Sequence, residues 1–490
     1  MGASLMAFIA STMITFFITP YIINSISAEA FGFVGLANNF VTYVSLITLT
    51  LNAMCGRFVT INIHKNNMDK ANKYFSSSFI SNLIIIILLL PPTIIFIFFI
   101  DKILEIPTGI IWDVKLLFAF VFSSFFVSVI GSTFTIAIFA KNKLYLGSIR
   151  DIMSNIIKIV LTIILFGFLK PSVWYLGITT FIISLLVLIT DIFFTKKLLP
   201  QITIRKEYFE KNSVKELFSS GIWNSVSRFS QMLLVGFDLL IANIFLGAND
   251  MGVLSVSKTV PAFIITFMNI FMGVFAPRFT MLYAKNKQKE LINEVEKSAK
   301  ILNIIGSIPI AILMVFGEEF YSLWVPTQDA KLLYNLTVIT LLGLTINVGL
   351  SGMPSIFVVT NRVKVNAISL LITGVANIGI VIMLLRTTEL RIYAIAGVSV
   401  VLGIVRDVTV LPIYGAKCLK TKWYAFYPLI FKSILSVMLV GLVSNCIKSY
   451  FEITSWLTLI ICISICAILG LIINLALNFN IKEIKKIIKQ

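Results

Sequence analysis

The chain has 490 residues, 58% of them apolar and only 13% charged, where an ordinary soluble domain carries about 25% charged residues. With a mean hydropathy of +0.99 and apolar runs recurring from about residue 5 to about residue 477, the composition excludes a soluble protein and leaves no segment for a soluble catalytic domain. A formal net charge of +18 would suggest nucleic acid binding in a soluble chain, so the position of the charges decides what they mean.

In chain order, apolar runs near the roughly 20 residues that cross hydrocarbon predict fourteen spans. Their approximate limits are 4–24, 31–55, 76–100, 116–140, 151–169, 173–194, 219–246, 251–277, 301–317, 332–359, 365–385, 392–413, 426–447 and 456–478. The expected fold class is therefore an all-α membrane protein with about 14 transmembrane helices. No basic n-region precedes the first run and no small-residue cleavage pattern follows it, so it is expected to stay as the first span.

When the connections are numbered alternately, 28 of the 40 Lys and Arg residues fall on one side, including Lys65, Lys196, Lys206, Lys285, Lys417, Lys482 and Lys489. Seven fall on the other, which carries ten acids, among them Glu29, Asp101, Glu318, Glu319 and Asp329. The positive-inside rule then places both termini and the even-numbered connections in the cytoplasm, with the chain in the cytoplasmic (inner) membrane. The charge excess is topology, and no nucleic acid partner is expected.

An internal repeat is visible. Ala28-Glu-Ala-Phe-Gly32, a span, and Gly56-Arg57-Phe58 recur as Ala248-Asn-Asp-Met-Gly252, a span, and Pro277-Arg278-Phe279, each followed by a Lys/Asn-rich loop. Asn142-Lys143 and Asn361-Arg362 repeat at nearly the same offset, 219 against 220 to 221. Such an offset covers six spans, an even number, so the halves are expected to be two parallel six-helix repeats with two C-terminal helices added. The expected divisions are an N-terminal lobe at 1–194, a cytoplasmic linker at 195–218, a C-terminal lobe at 219–413, two additional helices at 426–478 and a basic tail at 479–490.

Polar stripes run inside several spans. Ser220, Asn224, Ser227, Arg228, Gln231 and Asp238 share an arc of the seventh, opposite Ile222, Val226, Phe229 and Leu233. Ser255, Lys258, Thr259, Thr266 and Asn269 share one face of the eighth; Asp151, Asn155, Lys158 and Thr162 align in the fifth, and Asn38, Thr42, Ser45 and Asn52 in the second. Asn38 occupies the repeat position of Lys258. An ion at the bilayer centre costs roughly 2.5–3.5 kcal/mol on insertion scales, so such residues face a bundle interior or a watery cavity. The alternatives are an interhelical hydrogen bond or a Lys that snorkels to the interface, the reading adopted for Lys432. Asp238 has the further alternative of neutralising Arg228, ten residues away on the same span. Arg228, Lys258, Lys158 and Arg406 against Asp238 and the peripheral Asp151 make a cationic excess. That suits an anionic substrate such as a diphosphate, because Arg and Lys donors pair with phosphate oxygens. The candidate substrate-binding set is Arg228, Lys258, Lys158, Asn224, Asn38, Asp238 and Arg406.

Nothing else suggests chemistry. Cys55, Cys418, Cys446, Cys462 and Cys466 lie in or beside spans without a CxxC pair and read as packing residues. His64, the single histidine, sits in a Lys/Asn loop, and there is no GxxxxGK[ST] phosphate loop. No catalytic residue, metal or cofactor is expected.

Gly221-Ile-Trp-Asn-Ser, Phe237-Asp-Leu-Leu-Ile-Ala-Asn-Ile-Phe-Leu-Gly, Ser257-Lys-Thr-Val-Pro261, Ala28-Glu-Ala-Phe-Gly and Pro412-Ile-Tyr-Gly-Ala-Lys together resemble one family. It is the polysaccharide-transport branch of the multidrug/oligosaccharidyl-lipid/polysaccharide exporter superfamily, with its fourteen-span layout. The resemblance implies a Wzx-type flippase of O-antigen or another lipid-linked oligosaccharide. It also implies alternating access of two lobes around a cationic cavity, undecaprenyl diphosphate as the lipid, and last helices that help hold the polyprenyl tail. Membrane lipid, a polysaccharide polymerase and glycosyltransferases are the partners it implies. The chain departs from the family by starting almost inside its first span.

Two other readings compete. A drug or cation antiporter of the same superfamily would carry an acid for its coupling ion in the first span, which has none, and would usually have twelve spans. A membrane polysaccharide polymerase, ligase or glycosyltransferase generally needs a large outer loop or a carboxylate cluster, and the longest outer connection, 101–115, is short.

Overall fold

The computed structural model describes residues 2–141 and 143–479; the tail expected from 480 onward and Asn142 of the third repeat landmark lie outside the described residues, as does the side chain of Ser220. A backbone in hydrocarbon must satisfy its own hydrogen bonds, which confines apolar spans of this length to helices. The described residues form nineteen α-helices and no strand. They are α1 (Gly2–Ser25), α2 (Ala28–His64), α3 (Met68–Phe98), α4 (Ile100–Ile103), α5 (Ile111–Phe134), α6 (Ile136–Ala140), α7 (Leu144–Phe168), α8 (Trp174–Leu198), α9 (Lys211–Gln231) and α10 (Asp238–Leu246). There follow α11 (Ala248–Ala284), α12 (Gln288–Trp324), α13 (Ala330–Leu350), α14 (Met353–Val359), α15 (Val363–Thr387), α16 (Ile392–Thr409), α17 (Leu411–Cys418), α18 (Tyr427–Lys448) and α19 (Trp456–Asn478).

Thirteen spans among the described residues are long and apolar enough to cross a membrane, and α1, 24 residues without a charge, is long enough to be the fourteenth. The repeat is carried in element lengths as well as landmarks: α2 and α11 both have 37 residues and start 220 residues apart. Several helices outrun their expected spans. At a rise of about 1.5 Å per residue, 37 residues reach about 55 Å. The charged segments that ended a span in the sequence continue the same helix beyond the apolar core. Two basic residues of the acid-rich side are ion-paired there, Lys115 with Asp101 at 2.7 Å and Lys448 with Glu319 at 2.6 Å.

The chain forms two compact units, Met1–Met232 with Leu239–Gly252, and Leu233–Asp238 with Val253–Gln490. In the first, α2 packs on α3, α5 and α9, α5 packs along α8, and α7 lies against α1 and α8. Leu51, Cys55, Val59, Phe75, Ile136 and Leu217 form one of its buried clusters. The repeated motifs meet within this unit. A Cβ on Gly252 would lie 2.5 Å from the Ala28 carbonyl oxygen, and one on Gly32 would lie 2.9 Å from the Gly252 Cα. Only glycine permits this approach of residues 28–32 to residues 248–252. Residues 201–210 of the expected linker are strapped to α3: Asn72 Oδ1 accepts from Thr203 N (2.9 Å) and Ser77 Oγ accepts from Glu210 N (2.9 Å). Lys211–Gln231, whose later part falls in the expected C-terminal lobe, packs on α2 and α3.

In the second unit α12 is central, in contact with α13, α18 and α19. Its polar side chains tie down the two additional helices. Buried Asn303 donates to Ser436 Oγ (3.0 Å) and Asn478 Oδ1 (3.3 Å), and Ser307 donates to Asn474 Oδ1 (3.2 Å). Apolar faces gain little from each other in lipid, so such bonds, together with close packing, hold membrane helices in register.

Candidate functional site

The seventh span is broken. Helix α9 passes at Met232 into a π-helical turn, Met232–Gly236, before α10 starts at Asp238. A wider turn loosens the regular backbone ladder, and a freed carbonyl in hydrocarbon needs another donor. Asn377 of α15 supplies it: buried to 1% exposure, its Nδ2 donates to Leu233 O (3.3 Å) and Leu234 O (3.0 Å).

Asp238, at the start of α10, is buried, and its carboxylate accepts from the Lys258 ammonium of α11. Its partner is thus Lys258 and not Arg228. Arg406 is committed as well. Its guanidinium donates to Asp407 Oδ1 (2.8 Å) and to Asn366 Oδ1, and Asp407 also accepts from Asn347 Nδ2 (2.9 Å). These bonds join α16 to α13 and α15. Lys258 and Arg406 therefore add no free positive charge, because each faces a carboxylate of its own unit.

The remaining candidates belong to the first unit. Arg228 and Asn224 are exposed and stand four residues apart on α9, hence on one face of it. Ser227 beside them donates to Trp223 O (2.9 Å). Lys158 is half-buried on α7, and neither it nor Arg228 forms an ion pair among the described residues. Asn38 is exposed on α2 and donates to Val34 O of its own helix (2.9 Å), so its amide oxygen remains available as an acceptor. Of the four candidate cations, Arg228 and Lys158 are the two without an ion pair among the described residues.

One charged group escaped the sequence reading. Arg150 donates to buried Asp191 of α8 and to Asp151 (Nη2–Oδ1 2.8 Å). Asp151 therefore serves this network rather than Lys158. An acid within the sixth span is the signal that demands such a partner. Among the described residues no group of three His, Cys, Asp or Glu side chains is placed to hold a metal ion.

Residues 1–283, more than half of the chain, match the family described as polysaccharide biosynthesis protein, and the chain belongs to that family. It is 27% identical over 464 residues, 94% of this chain and 91% of the other, to the uncharacterized membrane protein EpsK of Bacillus subtilis (strain 168). Among solved structures it is similar to the lipid II flippase MurJ in an inward closed conformation, with a TM-score of 0.64 at 14% identity, covering 97% of this chain and 98% of that one. An inward-facing multidrug resistance MATE family transporter of the MOP superfamily also gives 0.64, at 15% identity, covering 84% of this chain and 94% of that one. At these identities the structural likeness establishes the fold alone, an all-helical multi-pass fold.

Proposed function

We propose that this chain flips an undecaprenyl-diphosphate-linked oligosaccharide, the repeat unit of an O-antigen, capsule or other polysaccharide, across the cytoplasmic membrane by alternating access and without covalent catalysis. The observation that carries the reading is the pair of candidate cations at span depth without an ion pair among the described residues, Arg228 and Lys158. A charge is retained there where it meets a substrate or water, and phosphate oxygens are its natural acceptors. Family membership supports polysaccharide synthesis as the setting, with glycosyltransferases supplying the substrate and a polymerase consuming the product. The coverage of the solved structures supports a lipid-linked substrate over a drug: the lipid II flippase spans 97% of the chain against 84% for the multidrug transporter, a difference about the size of two helices with their loops. Cells lacking the chain should accumulate lipid-linked oligosaccharide of complete composition on the cytoplasmic leaflet, read by glycan analysis and leaflet-specific labelling. Accumulation of a truncated glycan, or unlinked repeats outside, would point to a transferase or polymerase and overturn the proposal.

The same reading places both termini and the Lys-rich connections in the cytoplasm. In a cysteine-free variant, Asn66→Cys and Lys287→Cys should resist an impermeant thiol reagent in intact cells, while Thr327→Cys should react. Equal labelling of Lys287→Cys and Thr327→Cys would refute this topology.

A further inference from the structure

In the second unit three helix ends meet around a cavity of about 390 Å³, lined by Tyr283, Asn286, Gln288, Arg362, Cys418 and Lys420 among others. All three ends close in the same way. A left-handed residue, Asn286 (φ 55°), Asn361 (φ 54°) or Lys420 (φ 49°), is followed by a backbone N–H that returns to the last turn. These bonds are Lys287 N to Leu282 O (3.0 Å), Arg362 N to Phe357 O (2.8 Å) and Thr421 N to Ala416 O (2.9 Å). Such closures satisfy the terminal carbonyls from the backbone itself, and the Gln288 amide donates to Leu419 O. The side chains of Arg362 and Lys420 are therefore not needed as caps.

The repeat shows how part of the corresponding place in the first unit is filled. In the first unit, 220 residues earlier, Asn66 is again left-handed (φ 57°). Leu199, the counterpart of Leu419, packs there with Ala137, Ala140, Ile63 and Ile202. In the second unit the counterparts of Pro200 and Ile202 are Lys420 and Lys422. At these two positions apolar residues have given way to cations, while Arg362 answers to Lys143 of the first unit. Among the described residues no carboxylate lines the cavity. Nearby acids are engaged elsewhere, Glu290 with Lys287 (2.7 Å) and Glu294 with Arg278 (3.2 Å). Two helices also begin here, α12 and α15, and neither has a side-chain cap, so their first-turn N–H groups offset part of the negative field of the three helix ends.

We propose that this cavity is a subsite for a phosphate-bearing anion at the membrane surface, held by Arg362 and Lys420 with Tyr283 and Asn286 as further hydrogen-bonding partners. Basic pockets between helices on the cytoplasmic side are suited to anionic headgroups, and the guanidinium fork matches phosphate oxygens. Two sources share this chemistry, the headgroup of an anionic membrane lipid and a free diphosphate. The site rests on the cytoplasmic placement of these loops and not on transport, so binding tests it where export would not.

The test is native mass spectrometry of the full-length protein in detergent, titrated separately with phosphatidylglycerol, phosphatidylcholine and inorganic pyrophosphate. Arg362→Gln/Lys420→Gly removes both charges, and glycine keeps the left-handed turn at 420. This variant should bind phosphatidylglycerol about tenfold more weakly than the wild type, equivalent to about 1.4 kcal/mol, with phosphatidylcholine weak in both. Arg362→Lys/Lys420→Arg should restore binding, which separates charge from damage to the fold. Lys196→Gln/Lys197→Gln, at a basic helix end of the first unit, should match the wild type. Pyrophosphate that binds with the same loss in the variant and displaces the lipid supports a site for phosphate from either source. Binding of the lipid alone supports a headgroup site. Equal binding of both anions by wild type and Arg362→Gln/Lys420→Gly, or an equal loss in Lys196→Gln/Lys197→Gln, overturns the proposal.

Discussion

Asp238→Ala is expected to destabilise the purified protein by about 3–5 kcal/mol, the usual cost of removing one partner from a buried ion pair. Asp238 side-chain exposure is 2% and that of Lys258 is 24%. The lysine left behind would be a largely enclosed cation within the span Ala248–Ala284, with too little water to replace the carboxylate. The π turn adds to the effect, because Asp238 also opens α10 directly after it. Asp238→Asn/Lys258→Met, which removes both charges and keeps the volume, should recover stability to within about 1–2 kcal/mol of the wild type, since a buried pair is seldom better than its apolar replacement. Thermal unfolding in detergent, followed by loss of the monodisperse peak, measures both variants. A single variant as stable as the wild type would show that the pair does not hold the two helices.

This pair also marks how far the sequence could be read. Both residues stood out as ions within spans, because a period of 100° per residue is visible in one chain segment. Which helix faces which is not. The angle of Asp238 around its own axis was compatible with Arg228 on the same span, and only packing brings it to Lys258. Arg406 and Asp407 are adjacent in sequence, but Asn366 and Asn347, which complete their network, come from other helices. The π turn was illegible for a different reason. Met-Leu-Leu-Val-Gly reads as ordinary span, and its partner Asn377 carries no charge to draw notice. The linker failed to show its structure because its Lys and Glu residues are solvated, while what holds it are Asn72, Ser76 and Ser77 on α3, with bonds to its backbone. By contrast, the six-span repeat was legible in part because its landmark glycines, Gly32 and Gly252, sit where a Cβ would meet backbone and leave no latitude for another residue.

Arg228→Ala should behave in the opposite way to Asp238→Ala, with transport lost and stability kept. Its side chain is exposed and forms no ion pair among the described residues, so truncation breaks no ion pair there, and changes at exposed positions of this kind stay within about 0.5 kcal/mol. What it would remove is a donor to the substrate. A hydrogen bond between charged groups contributes about 1.5–3 kcal/mol, which corresponds to roughly a ten- to hundredfold fall in flipping rate at limiting substrate. Arg228→Lys should recover only part of the rate, because an ammonium keeps the charge but not the planar fork that meets two phosphate oxygens. Lys158→Ala should weaken transport further when combined with Arg228→Ala if both contact one diphosphate. The measurement is export of the sugar polymer, normalised to the amount of chain in the membrane. Wild-type export by Arg228→Ala/Lys158→Ala, at equal protein levels, would remove both cations from the mechanism and with them the observation on which the flippase reading rests.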